Sequence, residues 1–205
     1  MLVAQSVNDQ GQPVLVNLHT YQHSRQDKVA LRERLRGREY ACPHCGQAMT
    51  PNLGSLRVWH FSHQREASTC PYETQAEPES PKHRNLKSAL AQAMMGYFAD
   101  RKPRVELEVR LPDIGRIADV LVSLEDGSRI AVEGQLAFIP LEELMERTRS
   151  YERADIEVIW AFEARATQGG RFADHRDWLL ERAHFVIEVS TQVHSETVSL
   201  GTFQV

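Results

Sequence analysis

The sequence predicts an α/β protein built in two parts: a small zinc-binding, β-rich module over residues 1–75 and an α-β-β-β-α-β domain over residues 76–205. Three observations carry this. Cysteines and histidines cluster between Cys42 and Cys70 at metal-ligand spacing. A helix-period apolar stripe then precedes three strand-like segments. Finally, a helix-period segment gives way to a short, continuously apolar one, the pattern of a helix packed on a sheet. Hydrophobic residues make up 41% and charged residues 25% of the 205 positions, enough for packed cores and against wholesale disorder.

In the first part, Leu2-Val3-Ala4 and Val14 to Leu18 flank a turn-rich stretch from Asn8 to Pro13, which reads as a β-hairpin. Residues 24–38 carry Arg25, Lys28, Arg32, Arg34, Arg36 and Arg38 against Asp27 and Glu33. The plain reading is a solvated helix face; the sharper one is a local phosphate-contacting strip. Cys42-Pro43-His44-Cys45-Gly46 is a knuckle in which two thiolates can grip one tetrahedral zinc while Gly46 permits the tight turn. Two ligand sets fit the spacing. Cys42, Cys45, His60 and His63 form a C-x2-C-x14-H-x2-H set; Cys42, Cys45, His63 and Cys70 form the other. Four protein ligands leave no open position, so the zinc would be structural. A metal cross-link would also explain how about 75 residues with few large apolar groups fold as a unit. The stretch from Thr69 to Pro81 reads as a linker.

Ser80-Pro81 opens a helix, with Ser at the cap and Pro at the first position; Leu86, Leu90, Ala93 and Tyr97 form its apolar stripe. Strands are expected at Arg104 to Leu111, Arg116 to Leu124 and Arg129 to Leu136, the last two joined by the turn Glu125-Asp126-Gly127-Ser128. A helix from Leu141 to Ala154, a strand from Ile156 to Phe162, a helix from Asp174 to Ala183 and strands at Phe185 to Val189 and Thr197 to Val205 complete the order. Asp119 and Glu133 each interrupt an apolar strand, where an ionised carboxylate is expensive without a cation. Pairing through the 125–128 turn would bring both to one end, a set suited to Mg²⁺. Glu108 lies on the preceding strand, and His83 and Lys87 share one helix face from which a cation could meet a phosphate. The plain reading pairs these acids with Arg116 or Arg147 instead.

Taken in order, these motifs resemble the competence protein CoiA-like family. They are the hairpin, Cys42-Pro43-His44-Cys45-Gly46, His60-Phe61-Ser62-His63, Cys70, Glu79-Ser80-Pro81-Lys82-His83 through Lys87, Leu107-Glu108, Ile117 to Val120 and Glu133-Gly134-Gln135. Glu146-Arg147 through Tyr151 and Val158-Ile159-Trp160 also agree, so the likeness covers roughly residues 1–163. The resemblance implies a PD-(D/E)XK (restriction-endonuclease-like) domain in which Asp119 and Glu133 hold Mg²⁺ or Mn²⁺. Gln135 would stand where a lysine is usual, with Glu79 or Glu108 as an accessory acid. A neutral glutamine can orient but not offset charge, so Lys87 could supply the cation from the facing helix. It further implies DNA, single-stranded by the family's role in natural transformation, as partner, together with recombination or competence proteins.

The leading expectation is therefore a metal-dependent deoxyribonuclease. A non-catalytic nucleic-acid-binding or recombination accessory module on the same scaffold is the second. A zinc-stabilised protein–protein adaptor is the third, with Trp178-Leu179-Leu180 and Phe203 as its candidate contact residues. Twenty-four Lys and Arg against 28 Asp and Glu exclude coating of nucleic acid by bulk positive charge, but not a local grip. No apolar run approaches the ~18 residues of a membrane span, and MLVAQSVNDQ is not a secretory signal, so a cytoplasmic protein is expected. A homodimer would suit the cutting of two strands, though no residue demands it.

Overall fold

Alternation sets the first hairpin. β1 (Val3–Val7) and β2 (Pro13–Asn17) pair antiparallel, Val3 opposite Asn17 and Val7 opposite Pro13. The Asn8 carboxamide accepts the N–H groups of Gln10 and Gln12 across the expected turn. The structure is a computed structural model that describes residues 1–55, 58–64, 70, 80–163, 173–182, 185–191 and 198–204. The chain divides into two compact units, residues 1–84 and 85–205.

In the first unit, α1 (Leu18–Gln22) follows β2, and α2 (Lys28–Arg36) starts at Asp27, whose side chain accepts the Val29 N–H. β3 (Tyr40–Ala41), β4 (Ala48–Asn52) and β5 (His60–His63) complete a sheet of order β2-β1-β3-β4-β5. Leu31 and Leu35 are the buried residues of α2, so Arg34 and Arg36 fall on its exposed side. Trp59 and Phe61 are the largest fully buried side chains of this unit.

The second unit follows the expected order. α3 (Pro81–Tyr97) leads into the antiparallel strands β6 (Arg104–Leu111), β7 (Arg116–Ser123) and β8 (Arg129–Gln135). α4 (Leu141–Glu152) then crosses to β9 (Glu157–Glu163), which lies parallel to β8. α5 (Ala173–Leu180), β10 (Phe185–Thr191) and β11 (Val198–Gln204) close a sheet of order β11-β10-β9-β8-β7-β6. The boundary between the units falls inside α3, whose residues from Asn85 onward belong to the second.

Two packing features fix how helices approach this sheet. A Cβ built on Gly134 would lie 2.6 Å from Leu86 Cδ2, so α3 packs on β8 where residue 134 has no side chain, and Leu86 would have to shift for any larger residue. On the other face, Leu144 and Tyr151 of α4 pack with Ala131, Trp160 and Phe162 in one buried cluster. Leu179 is buried in that cluster, and the half-buried Trp178 and Leu180 pack against it. The Phe203 side chain lies outside the described residues.

Candidate functional site

The Cys/His cluster of the first unit is assembled by the Cys42–Gly46 turn and the end of β5. The His44 N–H points at Cys42 Sγ at 3.4 Å, and the Gly46 N–H bonds the Cys42 carbonyl at 2.8 Å. Gly46 is left-handed at φ 75°, a conformation that glycine adopts without strain. Ligand atoms of Cys42, Cys45, His63 and Cys70 all lie within 4.8 Å of one another. Cys42 Sγ to Cys70 Sγ is 3.8 Å and Cys45 Sγ to His63 Nε2 is 3.4 Å. Zn–S near 2.3 Å and Zn–N near 2.0 Å imply tetrahedron edges of about 3.8 and 3.5 Å. These two edges match a tetrahedral zinc, and the four residues could bind one.

Of the two ligand sets, the structure brings together the second. His60 is left out, with Nδ1 at 2.9 Å from the Val58 carbonyl. The reason is strand period: His60 and His63 are three apart on β5 and so project from opposite faces, whereas H-x-x-H grips one ion from a helix or turn. Burial pushes the Cys42 thiol up to about 12. At Cys45 burial acts the same way, but the Gln47 N–H, then His63, Cys70 and Cys42, outweigh it and draw the thiol below its usual value. A divalent ion would favour the thiolate at both.

In the second unit Asp119 and Glu133 do converge. Ladder pairing between β7 and β8 runs from Ser123–Arg129 to Val120–Val132, and one step further the carboxylates replace it. The Gly134 N–H donates to Asp119 Oδ2 at 2.9 Å, and the Asp119 N–H points at Glu133 Oε1 at 3.4 Å. The strands fork here, and the two side chains satisfy backbone groups that the ladder no longer serves. Glu133 is 2% exposed. Its Oε1 accepts the Tyr151 hydroxyl at 2.6 Å, and its Oε2 accepts the Arg147 guanidinium. Burial raises the Glu133 carboxyl above the usual carboxylate range; Arg147 pulls it down and the Asp119 charge pushes it up further.

Among the other expected residues, Gln135 is in the site, its Oε1 accepting from Arg147 at 3.3 Å. Lys87 is not offered to a phosphate: it is fully buried and ion-paired with Glu108, itself 4% exposed. Glu108 reaches it through a left-handed backbone, φ 56°, at the register position facing Asp119 between the pairs Leu107–Val120 and Val109–Ala118. That conformation is strained for any residue with a Cβ, by about 1–2 kcal/mol. Glu108 is thus paired with Lys87, and among the described residues the only group of three or more His/Cys/Asp/Glu side chains close enough to hold a metal is the Cys3His set. His83 sits in the first turn of α3, its N–H donating to Ser80 Oγ. Glu79 lies outside the described residues. Arg116 bonds Ser150 Oγ at 3.0 Å, so of the two arginines weighed as acid partners, Arg147 is the one in the site. The structure adds Tyr151, which the sequence offered only as the end of the Glu146-Arg147 through Tyr151 motif, one helical turn from Arg147.

A mixed sheet flanked by helices, with two strand carboxylates at a fork, preceded by a β-rich unit with a Cys3His cluster, defines a nuclease-like scaffold with an appended metal-knuckle module. The chain belongs to the competence protein CoiA family: its nuclease-like domain matches residues 79–187 and its N-terminal domain residues 22–73. Among curated relatives, the competence protein CoiA of Bacillus subtilis (strain 168) is 27% identical over 128 residues, 62% of this chain and 32% of that protein. The chain thus spans about a third of the length of that relative. No solved structure matches the chain. No helix among the described residues is long and apolar enough to cross a membrane.

Proposed function

We propose that the chain is a Mg²⁺- or Mn²⁺-dependent nuclease acting on DNA, single-stranded in the context of competence. The observation that carries this reading is the fork at which the Asp119 and Glu133 carboxylates stand side by side. Two hard oxygen donors suit a small divalent cation that keeps several waters, and the burial that disfavours the Glu133 charge is what such a cation would offset. A metal held there would polarise a phosphate oxygen and activate a water. The protein's own contribution is order: Tyr151 fixes one Glu133 oxygen, the Gly134 N–H fixes Asp119, and the buried cluster beneath α4 holds both elements rigid. Zinc on Cys42, Cys45, His63 and Cys70 is structural in this reading. Recombination or competence proteins are the proposed protein partners, and a homodimer is compatible with the reading.

One observation favours a second reading. Arg147 already neutralises Glu133, as expected of a site that binds nucleic acid without cutting it. Cleavage of single- and double-stranded DNA in Mg²⁺, Mn²⁺ or EDTA, beside Asp119→Ala, separates the two. Metal-dependent cleavage lost in the variant supports the nuclease. Equal inertness of both, with salt-sensitive binding that needs no divalent metal, supports the accessory module.

A further inference from the structure

β8 sends Glu133 and Gln135 to the same face, and Arg147 of α4 spans them. One guanidinium nitrogen donates to Glu133 Oε2 and another to Gln135 Oε1 at 3.3 Å. Gln135 Nε2 donates to the Ala137 carbonyl at 2.6 Å, which fixes the carboxamide with its oxygen toward Arg147. The guanidinium also lies 4.9 Å from the centre of the Trp160 ring, and Trp160 is pinned through Nε1 to Thr148 Oγ1 at 3.0 Å. Three neighbours thus hold the Arg147 head, and the side chain as a whole is 22% exposed. A carboxylate, a carbonyl-type oxygen and an aromatic face are all partners that attract a cation.

A lysine at position 135 would place an ammonium against that guanidinium, whereas glutamine presents an acceptor. Lys87 cannot serve, since its ammonium is sealed against Glu108 on the α3 side of the sheet. We infer that Arg147 is the cation of this site, the group that meets the anionic oxygens of a phosphodiester, and that Gln135 is the positioning residue that aims it. Guanidinium suits the task because its planar fork can bond a carboxylate on one edge and a phosphate on another. The inference rests on the nuclease reading for the identity of the anion, but the Gln135–Arg147 coupling stands on geometry alone.

The test is a swap in the full chain: Arg147→Gln, Gln135→Lys and the two combined, assayed on an end-labelled single-stranded oligodeoxynucleotide with Mn²⁺. Arg147→Gln is expected to lower cleavage by about 100-fold or more, and Gln135→Lys by about tenfold. The combination, which returns one cation to the strand beside Glu133, is expected to recover to within about tenfold of wild type, a rescue that a merely structural role would not give. Gln135→Lys alone cutting as well as wild type would overturn the inference. Thermal unfolding of the same four proteins is the second measurement. Each single change is expected to lower Tm by about 4 °C and the pair by clearly less than the sum. If wild type cuts nothing, the nuclease reading fails, and the inference is judged by this cycle and by oligonucleotide binding. Non-additive Tm losses with weaker binding in Arg147→Gln support it; additive losses or unchanged binding overturn it.

Discussion

The two units use polar side chains in opposite ways. In the first, Cys42, Cys45, His63 and Cys70 come from a turn, the end of β5 and a separate downstream position, and their convergence ties those pieces together. In the second, Trp160, Phe162, Tyr151 and Leu144 build a buried cluster on the α4 face with Glu133 and Arg147 set beside it, while the Lys87–Glu108 pair is buried on the α3 side. With zinc bound as proposed, the polar cluster would hold the fold of one unit; in the other the fold holds the polar cluster. A metal should therefore matter to the two units differently: to the folding of the first and to the chemistry of the second.

Removal of the proposed zinc is expected to break the comparison most sharply. Stripping the metal with a strong chelator, or Cys42→Ser, is expected to unfold the first unit, since structural zinc is worth about 10–16 kcal/mol. Amide exchange should show protection lost there and retained in β7, β8 and β9. Glu108→Ala comes next: it removes the carboxylate that is ion-paired with the buried Lys87 ammonium, an expected loss of about 3–5 kcal/mol in denaturant unfolding. Lys87→Met with Glu108→Leu should recover most of that loss, because a buried ion pair can be replaced by apolar volume.

A smaller effect is set by pH in the first unit. Burial, with the neighbouring His23 charge adding to it, holds the His19 imidazole down at about 4. Its unfolded value is about 6.5, so the unfolded state binds the extra proton first as pH falls. Stability is therefore present above about 6.5 and lost on descent toward about 4, by up to about 3 kcal/mol. His19→Gln should flatten this part of the urea-midpoint profile relative to wild type. Smallest is Gly134→Ala, whose methyl would press on Leu86; an overpacking loss of about 1–3 kcal/mol in thermal unfolding is expected.

Much of this was legible in the sequence because it depends on local pattern. The hairpin turn between Leu124 and Ser128, the Ser80-Pro81 helix start and the order of elements from α3 to β9 follow period and turn chemistry. Asp119 and Glu133 were visible as charges out of place in apolar strands. What sequence could not supply was direction. Choosing between His60 and Cys70 as a ligand required knowing that His60-Phe61-Ser62-His63 is extended. The pairing of Lys87 with Glu108 depends on a left-handed glutamate, which no propensity foretells. Arg147 and Gln135 were each visible alone, yet their contact joins α4 to β8 across 12 positions, a tertiary fact.

The central claim is that the fork at Asp119 and Glu133 is a divalent-metal site distinct from the Cys3His cluster. Titration of Mn²⁺ into the zinc-loaded chain, followed by electron paramagnetic resonance with zinc content measured in parallel, tests it most directly. The account predicts one bound Mn²⁺ per chain that Asp119→Ala abolishes, with zinc retained in both proteins. Mn²⁺ binding that is absent from wild type, or unchanged in Asp119→Ala, would contradict it.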